Sequence, residues 1–357
     1  MRVVIAPDSF KGTITASDAA RALADGWRSI RPDDHLTIRP MADGGEGTLA
    51  AVTAAHPEAA LHRVVGCTGP DGHPVDCAYA LLPDGTAVIE LAIASGLPLM
   101  TQLAPLTATT RGTGELIAAA LDHGATCLLI GLGGSASTDG GTGLLHALGL
   151  RVLDTDSRPL PDGGGALTHA HRIDRSRLMP APPDGVQLLT DVTNPLLGPA
   201  GAAAVYGQQK GAGPEETDRL EAGLTRLSEL LGGAPDQPGA GAAGGTAYGL
   251  AAVWGATITP GAAAVADLLR LDEALVTADL VITGEGRFDS TSLLGKTVGE
   301  VISRAERAAV PVRVVAGEST DKQALTLVDL AGSTGDAQAR ADHWLREAGA
   351  LLAQAAY

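Results

Sequence analysis

The sequence predicts an α/β protein of two domains: a parallel-sheet domain built from both ends of the chain, and a mixed-sheet domain inserted between them. Three observations predict it. Strand–loop–helix units alternate over residues 2–55 and return from residue 279, the grammar of a parallel sheet. Between them, two β-rich runs are joined by Pro83-Asp84-Gly85, the signature of an antiparallel hairpin. The chain has 357 residues, which suits two cores of ~100–200 residues each. The expected boundaries are 1–65 plus 270–357 for the discontinuous domain and 66–269 for the insert.

Each element has a local reason. "RVVIA" (2–6) is a short β-rich run stopped by Pro7. "TASDAARALADGWRSI" (15–30) has helical spacing, with Thr15 or Ser17 as N-cap. "HLTIRP" (35–40) reads as a second strand, and "GEGTLAAVTAA" (45–55) opens a helix. "HPVDCAYALLPDGTAVIELA" (73–92) is the hairpin. "TGELIAAALDHG" (113–124) reads as a helix capped by Thr113 and ended by Gly124. "TCLLIGLGGSASTDGG" (126–141) is a buried strand entering a glycine loop, and "GVQLLTDVTNPLLGPAGAA" (185–203) is a strand with a loop at its end. An amphipathic helix covers 215–231, and the glycine- and proline-rich 234–245 reads as a flexible loop. A strand at 279–283, a helix at about 296–309, a strand at 312–316 and a C-terminal helix from about 336 complete the chain. It shows no internal repeat.

Composition excludes several classes. Hydrophobic residues are 45% and charged residues 18%, which is globular rather than disordered. Aromatics are only 3%, so Ala, Val, Leu and Ile must build the cores. The formal net charge of −16 repels nucleic acid and anionic membrane, and no basic tract offsets it. An anionic substrate therefore needs a locally positive pocket or a metal cation. Cys67, Cys77 and Cys127 have no C-x-x-C spacing and read as free thiols of a reducing compartment. The apolar N-terminal run is too short for a signal peptide, and no run reaches the ~20 residues of a membrane span. The expected location is the cytoplasm.

Five loops place acids or a lysine among glycines at strand ends, where ligands of parallel sheets bind. "PDSFKGT" (7–13) offers Asp8, Ser9 and Lys11. "MADGGEGT" (41–48) sets Asp43 and Glu46 around Gly44 and Gly45 before a helix, which suits acid capping or a metal-bound phosphate. "GLGGSASTDGGTG" (131–143) offers free amides from Gly131, Gly133 and Gly134, with Ser135 and Ser137, for cradling phosphate. "LTDVTNPLLG" (189–198) carries Asp191 and Asn194. In "VITGEGRFDSTSLLGKT" (281–297), Glu285, Arg287 and Asp289 precede Gly295-Lys296-Thr297, the letters that close a Walker A loop. It is not one. Ser290 stands where that loop needs its first glycine, and the strand is expected to end near Thr283, some twelve positions before Lys296. Together the loops point to phosphoryl chemistry with a metal, where positioning and charge neutralisation carry catalysis.

"IAPDSFKGT", "PMADGGEGT", "GLGGSASTDGG", "LTDVTNPLLGP" and "VITGEGRFDSTSLLGKT", in that order, resemble the bacterial glycerate kinases of the first type. "GTAVIELAIASGL" (85–97), "TTRGTGELI" (109–117) and "YGQQKGA" (206–212) extend the likeness across nearly the whole chain. It departs at Thr291, where glutamine is more frequent, and at Val298, where proline is. The resemblance implies ATP-dependent phosphorylation of D-glycerate, usually at the 2-hydroxyl, with ATP and Mg²⁺ as cofactors. It also implies a flavodoxin-like domain and a second α/β domain of restriction-endonuclease-like type, with the active site in the cleft between them.

On that basis Gly131, Gly133, Gly134, Ser135, Ser137, Gly44 and Gly45 are expected to bind nucleotide phosphates. Asp43, Glu46 and Asp289 are expected to hold the metal. Ser9, Asn194, Glu285 and Arg287 would bind substrate, Arg287 as a planar fork for its carboxylate. Asp8 or Asp191 would serve as base, and Lys11 and Lys296 as catalytic cations. A small-alcohol kinase of the galactokinase type and a non-catalytic anion-binding module are the alternatives. No nucleic acid or membrane partner is expected, and a homodimer is left open.

Overall fold

A computed structural model describes residues 1–10, 12–293 and 296–356. The chain opens with β1 (Arg2–Ile5) and β2 (His35–Ile38). It continues through β3 (Ala60–Thr68), β4 (Pro74–Leu81), β5 (Thr86–Glu90), β6 (Cys127–Gly131), β7 (Arg151–Leu153), β8 (Arg172–Asp174), β9 (Val186–Leu189) and β10 (Thr257–Thr259). It closes with β11 (Leu280–Phe288), β12 (Val312–Ser319) and β13 (Leu325–Thr326). Two compact units result. The first is Met1–Asp43, Ala50–Pro57 and Ala262 onward; the second is Gly44–Leu49 and Glu58–Gly261.

The first unit's sheet has the order β13-β12-β11-β1-β2, and every pairing is parallel. Numbered within the unit this is 2-1-3-4-5, the flavodoxin-like order. Val3, Ile5, Trp27, Ile282 and Leu345 belong to its buried core. The helix Ala16–Ile30 begins at Thr15, whose hydroxyl accepts from the Asp18 amide at 3.1 Å, and it buries one apolar face. The helix Ala341–Ala355 lies against it at glycines. A Cβ on Gly26 would stand 1.9 Å from the Arg346 carbonyl oxygen, and one on Gly349 would stand 2.2 Å from that of Leu23.

The second unit has a six-stranded sheet of order β10-β9-β6-β5-β4-β3. β5, β6, β9 and β10 run parallel, while β4 pairs antiparallel with both β5 and β3. β7 and β8 form a separate antiparallel pair. Tyr79, Ile89, Leu128, Ile130, Leu188 and Tyr248 lie in its core. Cys67, Cys77 and Cys127 are all free. None of the described helices is long and apolar enough to cross a membrane.

The structure corrects several local expectations. The helix expected from Thr113 runs Arg111–Asp122, because Thr110 and Thr113 spend their hydroxyls on buried partners, Asp139 and Ser95, rather than on capping. The expected loop 234–245 enters the helix Ala242–Trp254, whose residues Ala243–Gly245 are left-handed and let the backbone pass close to Ser137. β11 runs on to Phe288, well past Thr283, because β12 pairs with it as far as Ser319. The expected C-terminal helix is two helices, Thr334–Ala339 and Ala341–Ala355.

Gly349→Ala should lower stability by about 1–3 kcal/mol, the usual cost of overpacking. Gly335→Ala, with open space around its Cβ and no positive φ, should be neutral or mildly stabilising. Thermal unfolding of the two variants checks this; equal midpoints would mean that the helix pair yields freely.

Candidate active site

In the first unit the strand order reverses between β1 and β11. Doubly wound sheets bind ligands at the carboxyl ends of the strands flanking such a reversal. Asp8 follows β1 there, and its amide donates to the Gly284 carbonyl at 2.8 Å. Its carboxylate accepts from the Ser9 amide at 2.6 Å. Glu285 stands on β11 beside it. Its Oε1 is buried with no hydrogen-bond partner among the described residues. Burial raises the Glu285 pKa; the hydroxyl of Ser292 and the charge of Lys296 oppose that shift, while the charges of Asp8 and Asp289 add to it. A buried, unpartnered carboxyl oxygen at a switch point is the strongest functional sign in this unit, since such groups are normally satisfied.

Beyond β11 the chain turns through a short 3₁₀ segment, Ser290–Leu293, before the helix Thr297–Arg307. Asp289 Oδ1 accepts from the amide of Thr291 at 2.8 Å and from its hydroxyl at 2.6 Å, which lowers its pKa. Lys296 is the N-cap residue of the following helix, and its Nζ donates to the Thr291 hydroxyl at 3.3 Å. Thr291 thus ties acid and lysine together. Arg287 is exposed, its Nε 3.6 Å from Asp289. Lys11 lies outside the described residues.

In the second unit the carboxyl ends of β5, β6, β9 and β10 carry the other loops. Glu90 closes β5. It is buried, and its two oxygens accept from the amides of Gly47 and Leu49, each at 3.2 Å. The Gly47 and Leu49 amides, where the helix Thr48–Ala55 starts, therefore already face a protein carboxylate, that of Glu90. Asp43 is half-buried and Glu46 exposed.

After β6, a Cβ on Gly131 would lie 2.3 Å from the Gly44 carbonyl oxygen, and one on Gly133 would lie 2.5 Å from the Gly45 Cα. These glycines are required first for backbone contact between the two loops. Gly134, at φ +74°, is exposed, while Ser135 and Ser137 are buried, with the Ser137 amide 3.3 Å from the Ser135 hydroxyl. After β9, Asp191 Oδ1 accepts from the Gly261 amide at 2.7 Å. Asn194 donates to the Ala200 carbonyl at 2.8 Å and accepts from the Tyr206 hydroxyl at 2.6 Å, so both ends of its amide fasten its own loop.

The first unit therefore brings Asp8, Ser9, Glu285, Arg287, Asp289 and Lys296 to one sheet end. The second brings Gly44, Gly45, Glu46, Gly131–Ser137, Asp191 and Asn194 to another. Sequence reasoning missed Glu90, Asp139 and Lys210, all buried. Asp139 accepts from the Thr110 amide and hydroxyl and from the amides of Gly141 and Gly143, at 2.8–3.2 Å. A charged residue closing an apolar strand was the available signal for Glu90.

A family model described as the glycerate kinase family matches residues 3–357. The chain belongs to that family. It is 44% identical over 330 residues to a glycerate 2-kinase of Escherichia coli strain K12, covering 90% of this chain and 86% of that protein. It is 43% identical over 335 residues to a glycerate kinase of Bacillus subtilis strain 168, covering 91% and 87%. A crystal structure of a protein named as a candidate glycerate kinase 2, from Salmonella typhimurium LT2, superposes with a TM-score of 0.83 at 40% identity, over 99% of both chains. The two-sheet architecture is thus the family's own.

Because burial raises the Glu285 pKa, its neutral form is the one the fold favours, and stability falls as pH rises through that pKa. Glu285→Gln should accordingly raise the thermal midpoint at pH 8 more than at pH 4. An equal difference at both pH values would mean that the carboxylate is solvated in the folded protein.

Proposed function

We propose that this chain transfers the γ-phosphoryl group of ATP to D-glycerate at the 2-hydroxyl, giving 2-phosphoglycerate and ADP. The observation that carries this reading is the 44% identity to a glycerate 2-kinase across 330 residues. The polar groups at the two sheet ends give it a physical basis. Phosphoryl transfer asks a protein mainly to position the groups and neutralise charge.

Among the described residues no three His, Cys, Asp or Glu side chains converge. Mg²⁺ in a kinase takes one or two protein carboxylates and fills its remaining positions with phosphate oxygens and water. Asp43, Glu46 and Asp289 are the proposed candidates, of which such an ion would use one or two. The ion would offset the charge of the transferred group.

The other roles fall to the chain's own residues. The loop 131–137, with Gly44 and Gly45, would hold the nucleotide phosphates. Lys296 and Lys11 would supply positive charge to the transferring group, and Arg287, exposed and planar, would grip the glycerate carboxylate with Ser9 beside it. Asp191, oriented by the Gly261 amide, or Asp8 would take the hydroxyl proton. Glu285 would hydrogen-bond a substrate hydroxyl through its unpartnered oxygen.

A coupled assay of ADP release with D-glycerate, Mg²⁺ and ATP tests the activity, and phosphorus NMR of the product tests the position. Nucleotide binding without turnover would leave an anion-binding module. Asp191→Asn should lower kcat by about 10²–10⁴-fold, the range of a general base, with folding intact. A near-normal rate would remove it from that role. Lys296→Ala should lower kcat by about 10²–10³-fold and leave the thermal midpoint unchanged, since the side chain is exposed and its one hydrogen bond among the described residues is to Thr291.

A further inference from the structure

Four of the 25 basic residues are lysines: Lys11, Lys210, Lys296 and Lys322. The chain uses arginine almost everywhere a cation suffices. Lys210 and Lys322 have no assigned task; Lys322 is exposed, while Lys210 is only 3% exposed. Its Nζ donates to the Ser137 carbonyl, its only hydrogen bond among the described residues. That carbonyl sits in a niche with no spare room. A Cβ on Gly244 would stand 2.1 Å from it, and the Ser135 hydroxyl approaches it at 3.3 Å.

Asp139, two residues further on, is the one charged group whose field reaches Lys210. It is held by four donors from residues 110–143 and makes no ion pair with the lysine. A buried ammonium with one neutral acceptor is a poor way to stabilise a fold. A methionine of similar length would fill the space at lower cost.

We propose that Lys210 is a positioning residue for the glycine loop 131–137: its ammonium holds the Ser137 carbonyl inward, which fixes the turn so that the amides of Gly134 and Ser135 are presented to the nucleotide phosphates, those of Ala136 and Ser137 being engaged by Ser95 and Ser135. This rests on the reading of that loop as the nucleotide site. Burial lowers the Lys210 pKa to about 8, with Asp139 opposing the shift. The unfolded chain therefore holds this proton to higher pH than the folded one. Raising the pH through that range relieves the burial penalty and favours the fold, while the loop loses its charged tether. Loop function and stability should move in opposite directions.

The test compares wild type, Lys210→Met and Lys210→Arg. ATP affinity is measured by calorimetry, KM for ATP and for D-glycerate by the coupled assay, and amide hydrogen exchange over residues 134–139. Lys210→Met should bind ATP at least tenfold more weakly and keep its KM for D-glycerate within twofold. It should exchange the loop amides faster and show no loss of thermal midpoint. Lys210→Arg should recover part of the affinity. ATP affinity within twofold of wild type, or unchanged exchange of the loop, overturns the proposal. If the methionine variant does not fold, the wild type still decides: ATP affinity should fall severalfold from pH 7 to 9 without a parallel fall in thermal midpoint, and a flat profile overturns the proposal. A wild type that binds no ATP defeats the functional reading instead, and loop exchange then still reports on the tether.

Discussion

In the second unit two backbones meet with no side chain between them. The Gly44 carbonyl and the Gly45 Cα occupy the space that side chains on Gly131 and Gly133 would need. Gly44 is itself pressed on Leu189, whose Cβ lies 2.7 Å from where its own Cβ would be. The ends of β6 and β9 and the turn before the helix Thr48–Ala55 are thereby fixed to one another. Glu90 completes the arrangement from β5 by accepting from that turn. Only once these backbones are in contact do Ser135, Ser137 and Asp191 take fixed positions around the sheet end. Glycine here supplies close approach rather than flexibility.

The first unit reaches a comparable end by different means. There the constraint is topological: a 2-1-3-4-5 order leaves β1 and β11 adjacent with their connections departing to opposite sides. Parallel pairing delivers Asp8 and Glu285 side by side, and Thr291 then orients Asp289 and Lys296. The helix Thr297–Arg307 that carries this lysine is anchored by Arg304, which is buried and bound to Glu300, Asp267 and Asp272. A buried cation with three carboxylates contrasts with Lys210, which has none in contact. The first is saturated and structural; the second is left with spare donors.

Much of this was legible in the sequence, for physical reasons. The strands and the amphipathic helices follow from hydrophobic period, and the hairpin from Pro83-Asp84-Gly85. The acid-bearing loops could be found because carboxylates among glycines at strand ends have few structural uses. What could not be read was which glycines face ligand and which face another backbone: Gly131 and Gly133 look alike in sequence to Gly134, yet only Gly134 is exposed. Nor could the end of β11 be placed, since its last residues are polar and are held by β12, not by their own propensity. Glu90, Asp139 and Lys210 were invisible as a set because each has a partner dozens of residues away, Gly47, Thr110 and Ser137 respectively. Asn194 shows the converse. Its loop looked like a site, yet both ends of its amide are engaged by Ala200 and Tyr206.

The register of β1 against β11, Val3 with Leu280, sets an order of events during synthesis. Every strand of the second unit is made before Leu280, so that unit can complete its sheet while β1, beside β2, still lacks β11. β1 is thus made before the second unit and secured after it, and meanwhile carries Val3, Val4 and Ile5 uncovered. Its brevity, four residues, keeps that exposed edge small. A nascent chain whose β10 has emerged but whose β11 has not would hold a finished mixed sheet and an apolar strand paired on one side only, the state in which chaperone contact and misassociation would be decided.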